Sequence, residues 1–205
     1  MSLLDILYSP ECLHCKTLFQ GKGTLCGQCL DTFSLLSAEG HCIKCFAEIP
    51  LVTGICKPCR KISHPFYHLA SCFDAYGPAR SIENVFSSGQ THLAKDIAAY
   101  FVIQIHELNF PQFGSIISVP NHMQNPHFRI AQEIAKLLSI PFQPVLRRNL
   151  KPYPAFSLKK KCNIINQIVL LVDTNMQTRN TMRKAAFALE QGLPEKIYGM
   201  TFCAS

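Results

Sequence analysis

Eight of the eleven cysteines in the chain form two copies of one pattern. In each copy, ten residues separate two CxxC pairs, and the second copy repeats the first thirty residues later. The first copy contains Cys12, Cys15, Cys26 and Cys29, and the second contains Cys42, Cys45, Cys56 and Cys59. A CxxC turn places two thiolates on one tetrahedral ion, and two such turns complete a four-thiolate shell. The spacing therefore predicts a double zinc ribbon that holds two zinc ions.

The spacing leaves the pairing of the CxxC turns open. Sequential pairing, with one ion per repeat, is the simplest arrangement, and a cross-braced pairing of alternate turns is the other. Residues 12–59 contain few large apolar side chains between the cysteines. A segment this small needs a further source of stability, and structural zinc sites contribute on the order of 10 kcal/mol to folding.

The bulk composition indicates a globular protein of moderate basic charge. The 205 residues suit one ordinary domain plus a small one, and a hydrophobic content of 48% can fill a core. The formal charge of +7 fits an anionic ligand or nucleic acid without requiring either. Asp5 interrupts the apolar N-terminus, and no positive charge precedes that residue. Together with the absence of a long apolar run, this predicts a cytoplasmic protein without a membrane span, whose reduced thiols favour metal over disulfides.

Beyond the cysteine repeats, strand and helix patterns alternate, as in an α/β fold with a mostly parallel sheet. We expect three regions: residues 1–60 as the double zinc ribbon, 61–68 as a linker and 69–205 as the α/β domain. The predicted strands are 69–76, 115–119, 142–146, 168–172 and 196–202. The predicted helices are 79–87, 91–107, 127–138 and 181–191.

The most apolar strand, residues 168–172, ends in Asp173 and a polar loop. Ligands of open α/β sheets bind beyond the carboxyl ends of the strands, and a loop that enters a helix N-terminus can hold a phosphate. The alternative is an ordinary strand–loop–helix connection with a capping Thr or Asn. The predicted phosphate-binding residues are Asp173, Thr178, Arg179, Asn180 and Thr181.

These residues carry a resemblance to a known family. The run from Val169 to Asp173, with Thr178 and Thr181 after it, resembles the phosphoribosyl pyrophosphate (PRPP) loop of type I phosphoribosyltransferases. A double zinc ribbon ahead of such a domain resembles the ComF family of competence proteins. Three further segments are similar to that family in the expected order: residues 75–80, 118–120 and 158–164.

The resemblance implies a type I phosphoribosyltransferase-like parallel sheet flanked by helices, preceded by the small zinc ribbon. It also implies PRPP, with magnesium, as the ligand of the loop. The implied role is in natural transformation, where the protein would handle imported single-stranded DNA together with other DNA-uptake proteins.

The chain departs from the family pattern where PRPP would bind. Thr174 stands at the second acidic position, Gln177 at the first threonine and Arg179 at the glycine. The arginine-rich run expected after Pro120 is largely absent. Because phosphate chemistry needs charge stabilisation, this pattern favours a binding or scaffold role over catalysis. Two alternatives stay open: an active PRPP-dependent phosphoribosyltransferase, and a zinc-ribbon nucleic-acid module on an inert α/β platform.

A basic stretch lies between Glu133 and Asp173, where the sequence has no acidic residue. Tyr153 and Phe156 lie among its cations, a combination that suits single-stranded nucleic acid because charges follow phosphates and rings stack on bases. The alternative is a solvated flap. The predicted nucleic-acid contacts are Arg147, Arg148, Lys151, Lys159, Lys160 and Lys161. The eight histidines show no ligand spacing.

Overall fold

The computed structural model describes residues 10–21, 23–50, 52–120, 126–150, 154–160, 162–175 and 179–204, with the backbone alone at 126, 175 and 179. Two short helices, α1 (Gly27–Asp31) and α2 (Lys57–Arg60), belong to the cysteine repeats. The remaining elements are β1 (His68–Asp74), α3 (Gly77–Ser87), α4 (Ala94–Glu107), β2 (Ser115–Ser118), α5 (Pro126–Leu138), β3 (Leu146–Arg148), β4 (Phe156–Leu158), β5 (Ile168–Asn175), α6 (Arg179–Glu190) and β6 (Lys196–Ala204). A single 3₁₀ turn, Thr91–Leu93, precedes α4.

Four strands form one parallel sheet in the order β1-β6-β5-β2. Helices α3, α4 and α5 contribute to the apolar cluster on one face, and α6 contributes to the cluster on the other. Strand β5 is apolar over most of its length because both of its faces are covered. The predicted fold class is therefore confirmed: a parallel sheet flanked by helices and preceded by a cysteine-rich region.

The predicted strand at 142–146 is wrong in most of its length. Phe142 makes only an isolated parallel bridge to Ile116, and the regular strand in this region is β3. Pro141 and Pro144 have no backbone N–H, so this segment cannot continue a ladder. Strand β3 instead pairs antiparallel with β4 in a separate two-stranded sheet.

The two cysteine repeats are structural copies of one another. The N–H of Cys12 donates to the carbonyl of Thr17, and thirty residues later the N–H of Cys42 donates to Ala47. The residue after each first CxxC pair also repeats its conformation: Lys16 has φ 65° and Phe46 has φ 55°. The sequence repeat is therefore a repeat of backbone geometry, as expected when the same metal shell shapes both copies.

The cysteine-rich region covers the outer edge of β1. The N–H of Leu36 donates to the carbonyl of Cys72 at 2.8 Å, and the N–H of Leu69 donates to the carbonyl of Ile43 at 2.8 Å. An uncovered edge strand offers unpaired N–H and C=O groups to other chains. The two repeats thus protect this edge of the sheet.

The two repeats also pack on opposite faces of the sheet. Cys12 and Leu25 of the first repeat belong to the cluster on the α3–α5 face, and Phe46 of the second belongs to the cluster on the α6 face. Between the repeats, Phe33 stacks on Phe73 of β1 with ring centroids 3.9 Å apart. The cysteine-rich region is therefore continuous with the core of the α/β fold. No helix within the described ranges has the length and apolar character to span a bilayer.

Candidate metal centres and the carboxyl edge of the sheet

The four sulphur atoms of each repeat gather in one place, within 4.8 Å of one another. The grouping is the sequential one: Cys12, Cys15, Cys26 and Cys29 form one group, and Cys42, Cys45, Cys56 and Cys59 form the other. All eight are free cysteines.

The spacing of the sulphur atoms fits a tetrahedral ion. The Cys15 and Cys26 Sγ atoms are 3.6 Å apart, and those of Cys45 and Cys56 are 3.7 Å apart. Zinc–sulphur bonds of about 2.3 Å in a tetrahedron place two ligands about 3.8 Å apart. Each group could therefore hold one zinc ion.

Backbone N–H groups prepare one thiol of each group for a cation. Burial opposes ionisation of Cys12, but bonds from the N–H groups of Cys26, Cys15 and His14 outweigh it and lower the pKa of Cys12 to about 6. Burial likewise opposes ionisation of Cys42, yet N–H bonds from the repeat lower its pKa to about 7.

The pKa of the last cysteine of each group is shifted in the opposite direction. Burial and the neighbouring thiols raise the pKa of Cys29 to about 12, and burial raises that of Cys59. One group therefore cannot carry four thiolates without a compensating cation, which is the condition for a structural metal site.

The carboxyl ends of the four parallel strands meet at one edge of the sheet. Helices α3, α5 and α6 begin just beyond β1, β2 and β5, so their N-termini lie at the same edge. Asp173 lies near the end of β5, and Gly77, with φ 54°, begins α3. This is where ligands of open α/β sheets bind.

The carboxylate of Asp173 is engaged within the protein. Its Oδ1 accepts a hydrogen bond from the N–H of Thr174 at 2.8 Å and lies 3.2 Å from Nδ1 of His127. The hydroxyl of Thr174 lies 3.0 Å from the same imidazole nitrogen. The side chains of His127 and Asp173 are 11% and 13% exposed, so a ribose ligand would have to displace an internal contact.

His127 was not among the site residues predicted from the sequence. Its partner Asp173 is 46 residues away, and no local spacing joins the two. The available signal was position: His127 opens the helix that follows β2, and in a parallel sheet such a residue lies at the carboxyl edge. The imidazole of His127 contacts the carboxylate that the resemblance assigns to the ribose of PRPP.

The structure describes only some of the other predicted loop residues. Thr178 lies outside the described residues, as does the side chain of Arg179, whose backbone begins α6. Asn180 is exposed and Thr181 is half-buried. In residues 75–80 of this chain, which resemble part of the family pattern, Arg80 donates to the carboxylate of Glu83 at 2.9 Å, so this guanidinium is already paired.

The β3–β4 hairpin brings four of the predicted nucleic-acid residues together. Arg147 and Arg148 lie on β3, and Lys159 and Lys160 directly follow β4; all four are exposed. Lys151 and Lys161 lie outside the described residues. Phe156 is 3% exposed, so this ring packs in the core and cannot stack on a base.

No family model matches the chain, and no curated protein matches it. Among solved structures, it is similar to the structure of Leishmania donovani UMP synthase, with a TM-score of 0.35 and 15% identity over 57% of this chain and 22% of that chain. This chain thus corresponds to less than a quarter of that protein's length. At this TM-score the likeness carries no argument about fold or function.

Proposed function

We propose that the protein is a ComF-like zinc protein whose phosphoribosyltransferase-like domain binds rather than catalyses, and that it acts in DNA uptake by binding single-stranded DNA, alone or with partner proteins. The observation that carries the non-catalytic part is the engagement of Asp173 by His127 and Thr174. In the family that the sequence resembles, this acidic position would bind the ribose of PRPP.

The local charge supports the same conclusion. In phosphoribosyl transfer, pyrophosphate leaves PRPP. The negative charge that develops on the pyrophosphate needs cations that are already in position. Arg80 is paired with Glu83, and the sequence lacks the arginine-rich run after Pro120. The β3–β4 hairpin, by contrast, places four exposed cations close together.

The hairpin supports binding to a phosphate backbone. Its two strands hold Arg147 and Arg148 beside the chain that carries Lys159 and Lys160, and the N–H of Lys159 bonds back to the carbonyl of Val145 at 2.8 Å. Because Phe156 is buried, we expect charge rather than base stacking to dominate affinity at the described part of the hairpin. Binding of this kind is tolerant of sequence and sensitive to salt.

Titration with PRPP and magnesium tests the loss of transferase chemistry. We expect no saturable heat at millimolar PRPP, because ribose binding must break the contacts of Asp173 and the pyrophosphate finds few cations. Isothermal titration calorimetry of the zinc-loaded protein measures this, and an Asp173→Ala variant should give the same trace. Saturable heat that disappears in Asp173→Ala would instead favour the active-transferase alternative.

Charge-matched variants test the DNA site. Replacing Arg148, Lys159 and Lys160 with Gln should weaken binding of a 5′-hydroxyl oligothymidylate. It should also reduce the slope of log affinity against log salt by about 2, at roughly 0.7 per phosphate contact. Fluorescence anisotropy over a series of salt concentrations gives both quantities.

The control removes three exposed cations within or just after the cysteine repeats by changing Lys16, Lys57 and Lys61 to Gln. We expect this variant to bind with nearly the wild-type slope. The reverse result, with loss in the repeat variant and none in the hairpin variant, would replace the proposal with the zinc-ribbon nucleic-acid module.

A further inference from the structure

A cavity of about 340 Å³ lies between the second cysteine repeat and helix α6. Cys45 and Cys59 line it from the repeat, and Asn180 and Arg183 line it from the first turns of α6. Neither Asp173 nor any residue of the β3–β4 hairpin lines it. Its volume is at the lower end of the range of small-molecule sites, about 300–1,000 Å³.

Two polar groups that line the cavity have no hydrogen-bond partner among the described residues. Arg183 is half-buried, and its guanidinium makes no hydrogen bond or ion pair in the part of the chain that the structure describes. The Nδ1 atom of His64, which also lines the cavity, is buried and has no hydrogen-bond partner among the described residues. Buried polar groups are nearly always paired, so the His64 nitrogen requires a ligand or water, and the half-buried guanidinium of Arg183 is left for a ligand or for solvent.

Two cations, Arg183 and Lys44, lie close enough to His64 to act on it. Burial lowers the pKa of His64, and the charges of Arg183 and Lys44 lower it further. The cavity wall also includes the amino-terminal turn of α6, a twelve-residue helix whose dipole favours an anion at that end. An imidazole, an amide and a guanidinium together suit the several oxygens of a phosphate.

The remaining wall is apolar. Ile62 and Phe66 contribute to it, and most of the exposed lining of the cavity is carbon. A metal-bound thiolate group at Cys45 and Cys59 would add negative charge on the repeat side. A ligand would therefore place its anionic group at α6 and its apolar part toward the repeat. A bare inorganic phosphate would leave the apolar wall unfilled.

We propose that this cavity binds a small organic phosphate of the nucleoside monophosphate class. The phosphate lies at Arg183 and Asn180, and the ring lies against Ile62 and Phe66. Two sources offer this chemistry: a free nucleotide, and the 5′-phosphorylated end of a DNA strand. Among the predicted phosphate-binding residues that the structure describes, Asn180 alone lines this cavity, and the site includes neither the hairpin nor Asp173, so separate variants test it.

Thymidine 5′-monophosphate (TMP) is the probe, with thymidine as the comparison lacking phosphate. We expect zinc-loaded protein to bind TMP saturably in ligand-observed NMR, and Arg183→Gln to bind it about tenfold more weakly, since charged hydrogen bonds contribute about 1.5–3 kcal/mol. Lys95→Gln, which removes one exposed charge on α4, should bind TMP as wild type does. PRPP should not compete.

A second variant keeps the charge and fills the space. Ile62 is 47% exposed, so Ile62→Trp should fold normally while its ring occupies the cavity and abolishes TMP binding. Zinc content and melting temperature show whether Arg183→Gln acts only by destabilising the metal group. If Arg183→Gln does act only in this way, the Ile62→Trp variant tests the proposal instead. Equal TMP affinity in that variant, or no TMP binding to zinc-loaded wild type, overturns the proposal.

Oligothymidylates with and without a 5′-phosphate distinguish the two sources. A preference of wild type for the phosphorylated strand that vanishes in Arg183→Gln assigns the cavity to strand ends. TMP binding without such a preference assigns it to free nucleotides.

Discussion

A Cys29→Ser variant should bind one zinc ion per chain instead of two and should lose its cooperative fold at room temperature. Structural zinc contributes on the order of 10 kcal/mol to the folding of small metal domains. The total stability of a typical domain is about 5–15 kcal/mol, so the loss of one ion removes most of it. Cys29 is 7% exposed and belongs to the same apolar cluster as Ile82 and Phe86 of α3, so the damage should not stay within the repeat.

The consequence should extend to the edge of the sheet. Leu36 and Ile43, which bond to the outer edge of β1, lie between and within the two repeats. When the first repeat unfolds, this edge loses part of its cover and becomes able to pair with other chains. We therefore expect aggregation on mild heating, and the same outcome when a chelator removes zinc from the wild-type protein.

Zinc analysis, thermal unfolding and light scattering measure these effects. The matched control is Cys162→Ser, which changes a half-buried cysteine outside both groups and should keep two zinc ions with a nearly unchanged melting temperature. Two bound ions and a wild-type melting temperature in Cys29→Ser would show that the first group is not a structural zinc site.

The sequence allowed prediction of the features that depend on local pattern. The cysteine spacing indicated both thiol groups because each forms within a single repeat, with sulphurs from residues at most 17 positions apart. The apolar run of β5 and the helical periodicity of α4 and α5 likewise indicate which faces of these elements are buried. Such features depend only on residues that lie close to one another in the sequence.

Features that depend on distant parts of the chain were not predictable. The approach of His127 to Asp173 follows from the parallel order of β2 and β5, which no single segment specifies. Phe156 lies among cations in sequence, yet the pairing of β3 with β4 turns it into the core. The cover of β1 by the repeats includes two backbone hydrogen bonds, and every residue type except proline has the same backbone N–H and C=O groups.

A Gly199→Ala variant should lower the free energy of unfolding by about 2 kcal/mol, within the range of about 1–3 kcal/mol typical of overpacking in a core. Gly199 lies in the middle of β6, between Leu69 of β1 and Leu171 of β5. A Cβ atom there would lie 2.5 Å from Cδ1 of Leu69 and 2.7 Å from Cε1 of Phe66. Both neighbours are 1% exposed, so neither can move into solvent.

Both of these side chains line the cavity beside the second repeat. Gly199→Ala should therefore push Phe66 toward the cavity and weaken TMP binding as well as the fold. Gly27→Ala is the matched control because a Cβ there meets no atom within 4 Å; chemical denaturation should show no loss of stability. A melting temperature for Gly199→Ala equal to that of the control would contradict the prediction.

A compensating substitution separates steric conflict from other effects of the glycine. Phe66→Leu removes the ring that the new methyl group would meet, so the double variant with Gly199→Ala should be less destabilised than the sum of the two single variants. Residues in contact commonly show such coupling at about 0.5–3 kcal/mol. If the single effects simply add, the cost at Gly199 arises elsewhere than at Phe66, and the glycine does not set the position of the cavity wall.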